Sequence, residues 1–243
     1  LLSTDIEPTH TFDNPSYDTD LTYTVTLLVN AAGNGGCSDI TTHTITVLPT
    51  PLASFNLSST SICATESISS LNTTEIKEPA TYQWSITNPN SATISDPLLL
   101  DPTFTFEDNI SGSSISYDIT LLATSADGCS DVITQTVIVH SRPSADFQIP
   151  SDLCGPTDII VNENSQTTAN STYLWDWSSL TPPPIIIASI QGFENEPTIS
   201  IPENNTVLAV DYDVTMTLID NNGCLDTLTQ TLTLYPEPDA IYA

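Results

Sequence analysis

Apolar and polar residues alternate along much of this chain. In YDITLLA (117–123), Tyr117, Ile119 and Leu121 fall on one side, and Asp118 and Thr120 on the other. Tyr212, Val214, Met216 and Leu218 repeat the pattern, as do Tyr23, Val25, Leu27 and Val29. A period of two is that of a β-strand with one buried and one wet face. Ile133, Val137 and Val139 continue it after a Gly-Cys turn, and Trp84 and Trp175 fall mid-strand, where core aromatics are expected. Almost no stretch has a helical period. Thr, Ser, Ile and Val dominate while Gly and Pro punctuate, so the predicted class is all-β.

The strands recur as copies. GCSDITTHTITV (36–47) returns as GCSDVITQTVIV (128–139) and GCLDTLTQTLTL (223–234). PTHTF (8–12) matches PTFTF (102–106) and PTISI (197–201). PLASF (51–55) matches PSADF (143–147) and PDAIY (238–242), and TYQWSI (81–86) matches TYLWDW (172–177). The spacing, roughly 91–95 residues, is too long for a solenoid repeat and suits a sandwich domain of about 100 residues. The frame predicts the C-terminal half of a module over 1–50, complete modules over 51–142 and 143–235, and the start of another at 236–243. Short proline-bearing junctions predict semi-rigid joints and an extended rod. The opening LLSTDIEPTH has no basic or apolar leader, which reads as an interior piece or a mature form.

Charge narrows the function classes. Thirty acidic residues face two basic ones, Lys77 and Arg142, for a formal net charge of −28. Such a surface repels phosphate backbones and anionic lipid, and no apolar run reaches the ~20 residues of a membrane span. Neither nucleic acid nor membrane insertion is expected. The acids are scattered singly, as on a solvated surface. Candidate Ca²⁺ ligands are Asp18 with Asp20, Asp211 with Asp213, and the turn acids Asp127 and Asp220, because this ion takes six to eight oxygens. No other cofactor is expected. Asp39, Asp131 and Asp226 recur directly after GCx and are read as turn caps, with calcium ligation as the alternative.

The frame also orders the five cysteines. Each complete module has one early (Cys63, Cys154) and one in its GC turn (Cys129, Cys224), while Cys37 is the GC cysteine of the partial module. The predicted bridges are Cys63–Cys129 and Cys154–Cys224, with the partner of Cys37 upstream of Leu1. Each would close a loop of roughly 66–70 residues, worth on the order of 4 kcal/mol. The rival reading is buried unpaired thiols. Bridges imply an oxidising compartment.

Catalytic patterns are missing. His10 aligns with Phe104 and Ile199 as an ordinary strand position, His43 aligns with Gln135 and Gln230 on a wet face, and His140 sits in a linker. No GxSxG, HExxH or phosphate loop occurs, so an enzyme is not expected. Asn-x-Ser/Thr sequons at Asn56, Asn72, Asn109, Asn170 and Asn204 are read as markers of exposed loops.

Through PTHTF, YTVTLLV, GCSD and PLASF, the chain resembles PKD-type Ig-like repeats. More narrowly it resembles those of giant cell-surface gliding adhesins of Bacteroidetes-type bacteria, the SprB type. The WDFGDG of such repeats is replaced here by WSITNPN (84–90) and WDWSSLT (175–181). The resemblance implies an Ig-like sandwich array, type IX export to the cell surface, and a role in adhesion or gliding motility. The leading expectation is a stalk segment whose partners are neighbouring modules and lateral copies of itself. The alternative is a polysaccharide-binding accessory module of a secreted protein.

Overall fold

The computed structural model describes residues 3–31, 36–87, 91–154, 156–167, 171–179, 186–192 and 196–237. Every regular element among them is a strand. The first hairpin is β1 (Leu21–Asn30) with β2 (Ser38–Val47). Then follow β3 (Phe55–Leu57), β4 (Ser61–Cys63), β5 (Ser67–Asn72), β6 (Ala80–Ile86), β7 (Ala92–Ile94), β8 (Thr103–Phe106), β9 (Ile115–Ser125) and β10 (Ser130–His140). The last set is β11 (Phe147–Gln148), β12 (Asp152–Cys154), β13 (Thr157–Ile160), β14 (Asn162–Glu163), β15 (Thr172–Ser179), β16 (Ile186–Gly192), β17 (Thr198–Ile201), β18 (Val210–Ile219) and β19 (Leu225–Tyr235).

The sheets are those of Ig-like β-sandwiches. One pairs strands in the order β4-β10-β9-β6 and a second in the order β3-β5-β8-β7. Later in the chain the orders are β12-β19-β18-β15-β16, β13-β17 and β11-β14. Among the described residues no sheet mixes strands of 51–142 with strands of 143–235. In both sets a short early strand lies parallel to the end of the last long one. Cys63 is in register with His140, and Cys154 with Tyr235.

By proximity the chain forms two compact units. The first comprises Leu1–Thr60, Ser67–Thr105 and Tyr117–Val137, and the second Ser61–Glu66, Phe106–Ser116 and Ile138–Ala243. In the first, the alternating side chains Tyr117, Ile119 and Leu121 are buried with Phe55, Ile68, Trp84, Phe104 and Val137. Phe55 meets Trp84 edge-on at 4.9 Å between ring centroids. In the second, Tyr212, Val214, Met216 and Leu218 join Ile159, Val161, Ile199, Leu232 and Leu234 in one core. Phe147 meets Trp175 there at 5.1 Å, the same edge-on pair one repeat later.

The first hairpin differs. Its alternation is as regular, but Val25, Leu27 and Val29 are 41%, 58% and 55% exposed, because no second sheet among the described residues covers that face. His10 is also exposed and lies outside any strand, edge-on to Phe12, so the strand position read for it is corrected.

Candidate functional site

The hairpin turns are built alike. Gly128 and Gly223 have φ of +85° and +82°, a left-handed conformation that glycine adopts without a Cβ penalty. The following cysteine carbonyl accepts a hydrogen bond from the backbone N–H of Ser125 in one turn and of Asp220 in the other. Two residues on, the recurring aspartate does not cap this turn. Asp131 accepts the backbone N–H of Ala53 at 2.9 Å, and Asp226 that of Ala145 at 2.8 Å. Each carboxylate thus fastens the chain entering its sandwich to the last long strand. Asp39 accepts the N–H of Ile40. Nearby, the Gln135 and Gln230 side chains donate to the carbonyls of Phe55 and Phe147, so these positions are half-buried ties and not a wet face. His43, their counterpart, is exposed.

Both basic residues of the chain are spent on carboxylate pairs. Within the first unit, Lys77 Nζ lies 2.7 Å from Asp20 and 2.8 Å from Asp127. Its hydrogen bonds to the Asp127 carboxylate first, and then to Asp20, raise its pKa. Within the second, the Arg142 guanidinium forks onto Asp108 and reaches Asp226 at 2.7 Å. That fork holds the Asp108 carboxyl below its ordinary pKa and raises that of Arg142. Lys77 and Arg142 each join acids from two successive sequence copies. Exposed ion pairs of this kind contribute little to stability, because solvent and salt screen them.

The sulfur link is also between copies. Cys63 is bonded to Cys224, at a Cα–Cα separation of 5.5 Å and across 161 residues of sequence. This corrects the pairings Cys63–Cys129 and Cys154–Cys224. The reason is strand direction. Cys63 lies beside His140 at the far end of β10, whereas Cys129 immediately precedes its start. Eleven residues of strand put them about 36 Å apart, and a disulfide needs Cα atoms within about 7 Å. Cys154 and Cys224 stand in the same relation along β19. Neither Cys129 nor Cys154 is in a disulfide.

His140 is the last residue of β10 and not a linker residue; its ring nitrogens bond the hydroxyls of Ser61 (2.8 Å) and Ser114 (2.9 Å). This clamp beside Cys63 was not foreseen, since only the parallel pairing of β4 brings Ser61 to it. Arg142 also borders a cleft of about 290 Å³, with Gly112, Pro143, Gln166 and Asp220 on its walls.

An asparagine tie recurs as well, half-buried at Asn14 and buried at Asn109 and Asn204. Asn14, Asn109 and Asn204 donate through Nδ2 to Val47, Val139 and Leu234 carbonyls, at 2.9, 3.3 and 2.9 Å. Each Oδ1 accepts the backbone N–H two residues on, from Ser16, Ser111 or Thr206. The Asn-x-Ser/Thr spelling is therefore a local turn with a long-range tie. Asn109 and Asn204 are 4% and 7% exposed, which corrects their reading as exposed sequons. Nδ2 of Asn72 is buried too, Asn56 is exposed, and Asn170 lies outside the described residues.

The six calcium candidates are engaged with protein donors at several different places. Asp20 and Asp127 meet on Lys77. Asp18 accepts from Ser16, Asp211 from Thr233, and Asp213 from Thr231. Asp220, 7% exposed, accepts the N–H groups of Asn222 and Cys224 and closes the turn. Among the described residues no three of His, Cys, Asp and Glu converge as a metal site. All three tryptophans are described: Trp84, Trp175 and Trp177 are buried, so none offers a face to a sugar ring. No helix of the described residues is long and apolar enough to cross a membrane.

The architecture defines a class: all-β, built of Ig-like β-sandwich modules. No family model and no curated protein matches the chain. Among solved structures it is similar to protocadherin gamma B2 extracellular cadherin domains 1–5, with 10% identity and TM-score 0.32, covering 90% of this chain and 46% of that one. It is also similar to the protocadherin gammaB7 EC3–6 cis-dimer structure (13%, TM-score 0.31, 89% and 58%) and to protocadherin gamma B7 domains 1–4 (14%, 0.31, 88% and 57%). The chain spans about half the length of these structures.

Proposed function

We propose that these modules are a load-bearing stalk segment of a long extracellular adhesin or filament that presents adhesive regions at a bacterial cell surface. The observation that carries the reading is the Cys63–Cys224 bond, which joins one sequence copy to the next and so resists their separation under tension. The Asp108–Arg142–Asp226 bridge supports it by holding register beside that bond. A disulfide of this kind favours an oxidising, extracellular setting. The finer assignment to a gliding adhesin exported by the type IX route rests on the PTHTF, YTVTLLV and GCSD resemblance.

Pulling the chain by its ends tests the load-bearing part. The bond shields 161 residues from extension, or about 55 nm at ~3.4 Å per residue. The oxidised chain should extend short of full length by that amount, and a reductant should release it. Equal contour lengths in both states would remove the stalk reading. Surface labelling of producing cells with an antibody to the chain tests the location, and a purely cytoplasmic signal would refute it.

A further inference from the structure

In the bond Cys63–Cys224, the early cysteine of one sequence copy is joined to the GC-turn cysteine of the following copy. Cys154 holds the place of Cys63 one repeat later. Each ends a short strand parallel to the last long strand, in register with its final residue, His140 for Cys63 and Tyr235 for Cys154. Cys129 likewise holds the place of Cys224. Each follows a glycine at positive φ, and its carbonyl accepts the N–H that closes the turn. The equivalent positions of both cysteines are therefore bonded in the same molecule. Cys154 is exposed and Cys129 half-buried, whereas the bonded Cys224 is 1% exposed. Pairing inside one repeat is excluded by the length of β10 and β19, about 36 Å of strand against the ~7 Å limit.

We infer that Cys154 is a bonding site for the GC-turn cysteine of a further, following copy of this repeat, and Cys129 the complementary site for the early cysteine of a preceding copy. The bonds form a staggered ladder in which every repeat is tied to both neighbours and none is closed on itself. Each rung forms by thiol–disulfide exchange. Two cysteine thiols give up two protons and two electrons to a disulfide oxidant, such as oxidised glutathione or an oxidase's dithiol pair, which leaves as two thiols. The ladder deepens the stalk reading, and the two fail separately, since the pulling experiment reads load and the mapping below reads connectivity.

The test is non-reducing peptide mapping of the intact protein, purified from its producing cells with thiols blocked at lysis. Cys154 should be recovered linked to a GC-turn peptide other than that of Cys224, and Cys129 to a peptide other than that of Cys63. Non-reducing gels then tell whether the partner repeat lies in the same chain, which leaves the mass unchanged, or in a second copy, which raises it. Recovery of Cys63–Cys129 or Cys154–Cys224, or of Cys154 as an alkylated thiol, overturns the ladder. As a second measurement, Cys63→Ser frees Cys224 within reach of any neighbour, and Cys224 should stay alkylatable. A switch of Cys224 to Cys154 in that variant would also end the proposal.

Discussion

Replacing Asn204 by alanine removes a side chain that is 7% exposed and donates to two carbonyls, Leu208 and Leu234, each at 2.9 Å. Its Oδ1 also accepts the Thr206 backbone N–H at 3.0 Å. Each hydrogen bond is worth about 1 kcal/mol net, and a buried carbonyl left without a donor costs about 1–3 kcal/mol. The Leu234 carbonyl belongs to β19, in register with Val210, so the loss falls on a central strand pair. The expected cost is about 3 kcal/mol, or roughly 12–24 °C in the melting of a ~100-residue sandwich. Asn204→Asp is the sharper perturbation. It keeps the shape but turns both donors into a carboxylate facing two carbonyl oxygens. Burial and that repulsion raise the folded-state pKa of the new acid above its unfolded value of about 3.9. Its contribution is then intact below the unfolded pKa and lost as pH rises through the folded one. Urea denaturation followed through the buried Trp175 and Trp177 should rank the parent above Ala and Ala above Asp at pH 7, with Asp recovering towards pH 4. An Asp variant as stable as the parent at pH 7, or one without pH dependence, would refute this account of the repeated asparagine.

Breaking Cys63–Cys224 with a reductant should lower stability by up to about 5 kcal/mol in the chain-entropy estimate for a loop of 161 residues, read as a fall in the urea midpoint of Trp175 and Trp177 fluorescence. Asp226→Ala strips the Ala145 N–H of its charged acceptor and Arg142 of a partner, and should cost about 2–3 kcal/mol in thermal unfolding. Asp131→Ala loses the equivalent tie to Ala53 without an Arg142 partner and should cost less, about 1–2 kcal/mol. Arg142 lowers the Asp108 pKa, so this pair's contribution is present above the ordinary carboxylate value and lost as pH falls through the depressed one. Arg142→Met should flatten that acid-side loss, by well under 1 kcal/mol at this exposure, and remove its salt dependence in melts from pH 2 to 5.

Much was legible from residues alone. Period-two alternation depends only on which side of a strand a side chain leaves, so Tyr117, Ile119 and Leu121, or Tyr212 to Leu218, could be assigned to an interior before any coordinates. The copies GCSD, GCSD and GCLD likewise fixed where turns and late cysteines recur. Alternation says nothing about the end of a strand at which a neighbour sits. Cys63 with Cys129 looked like a pair because each repeat contains both, and only the parallel placement of β4 against the end of β10 sets them a strand's length apart. Asp131, Asp226, Asn109 and Asn204 read as turn or surface residues for the same reason. Their partners lie 30 to 81 residues away, brought close by sheet pairing that no local pattern encodes. The chain's own sequence thus determined faces and repeats, while the tertiary structure decided ends and neighbours, because a side chain's direction is local and a strand's partner is not.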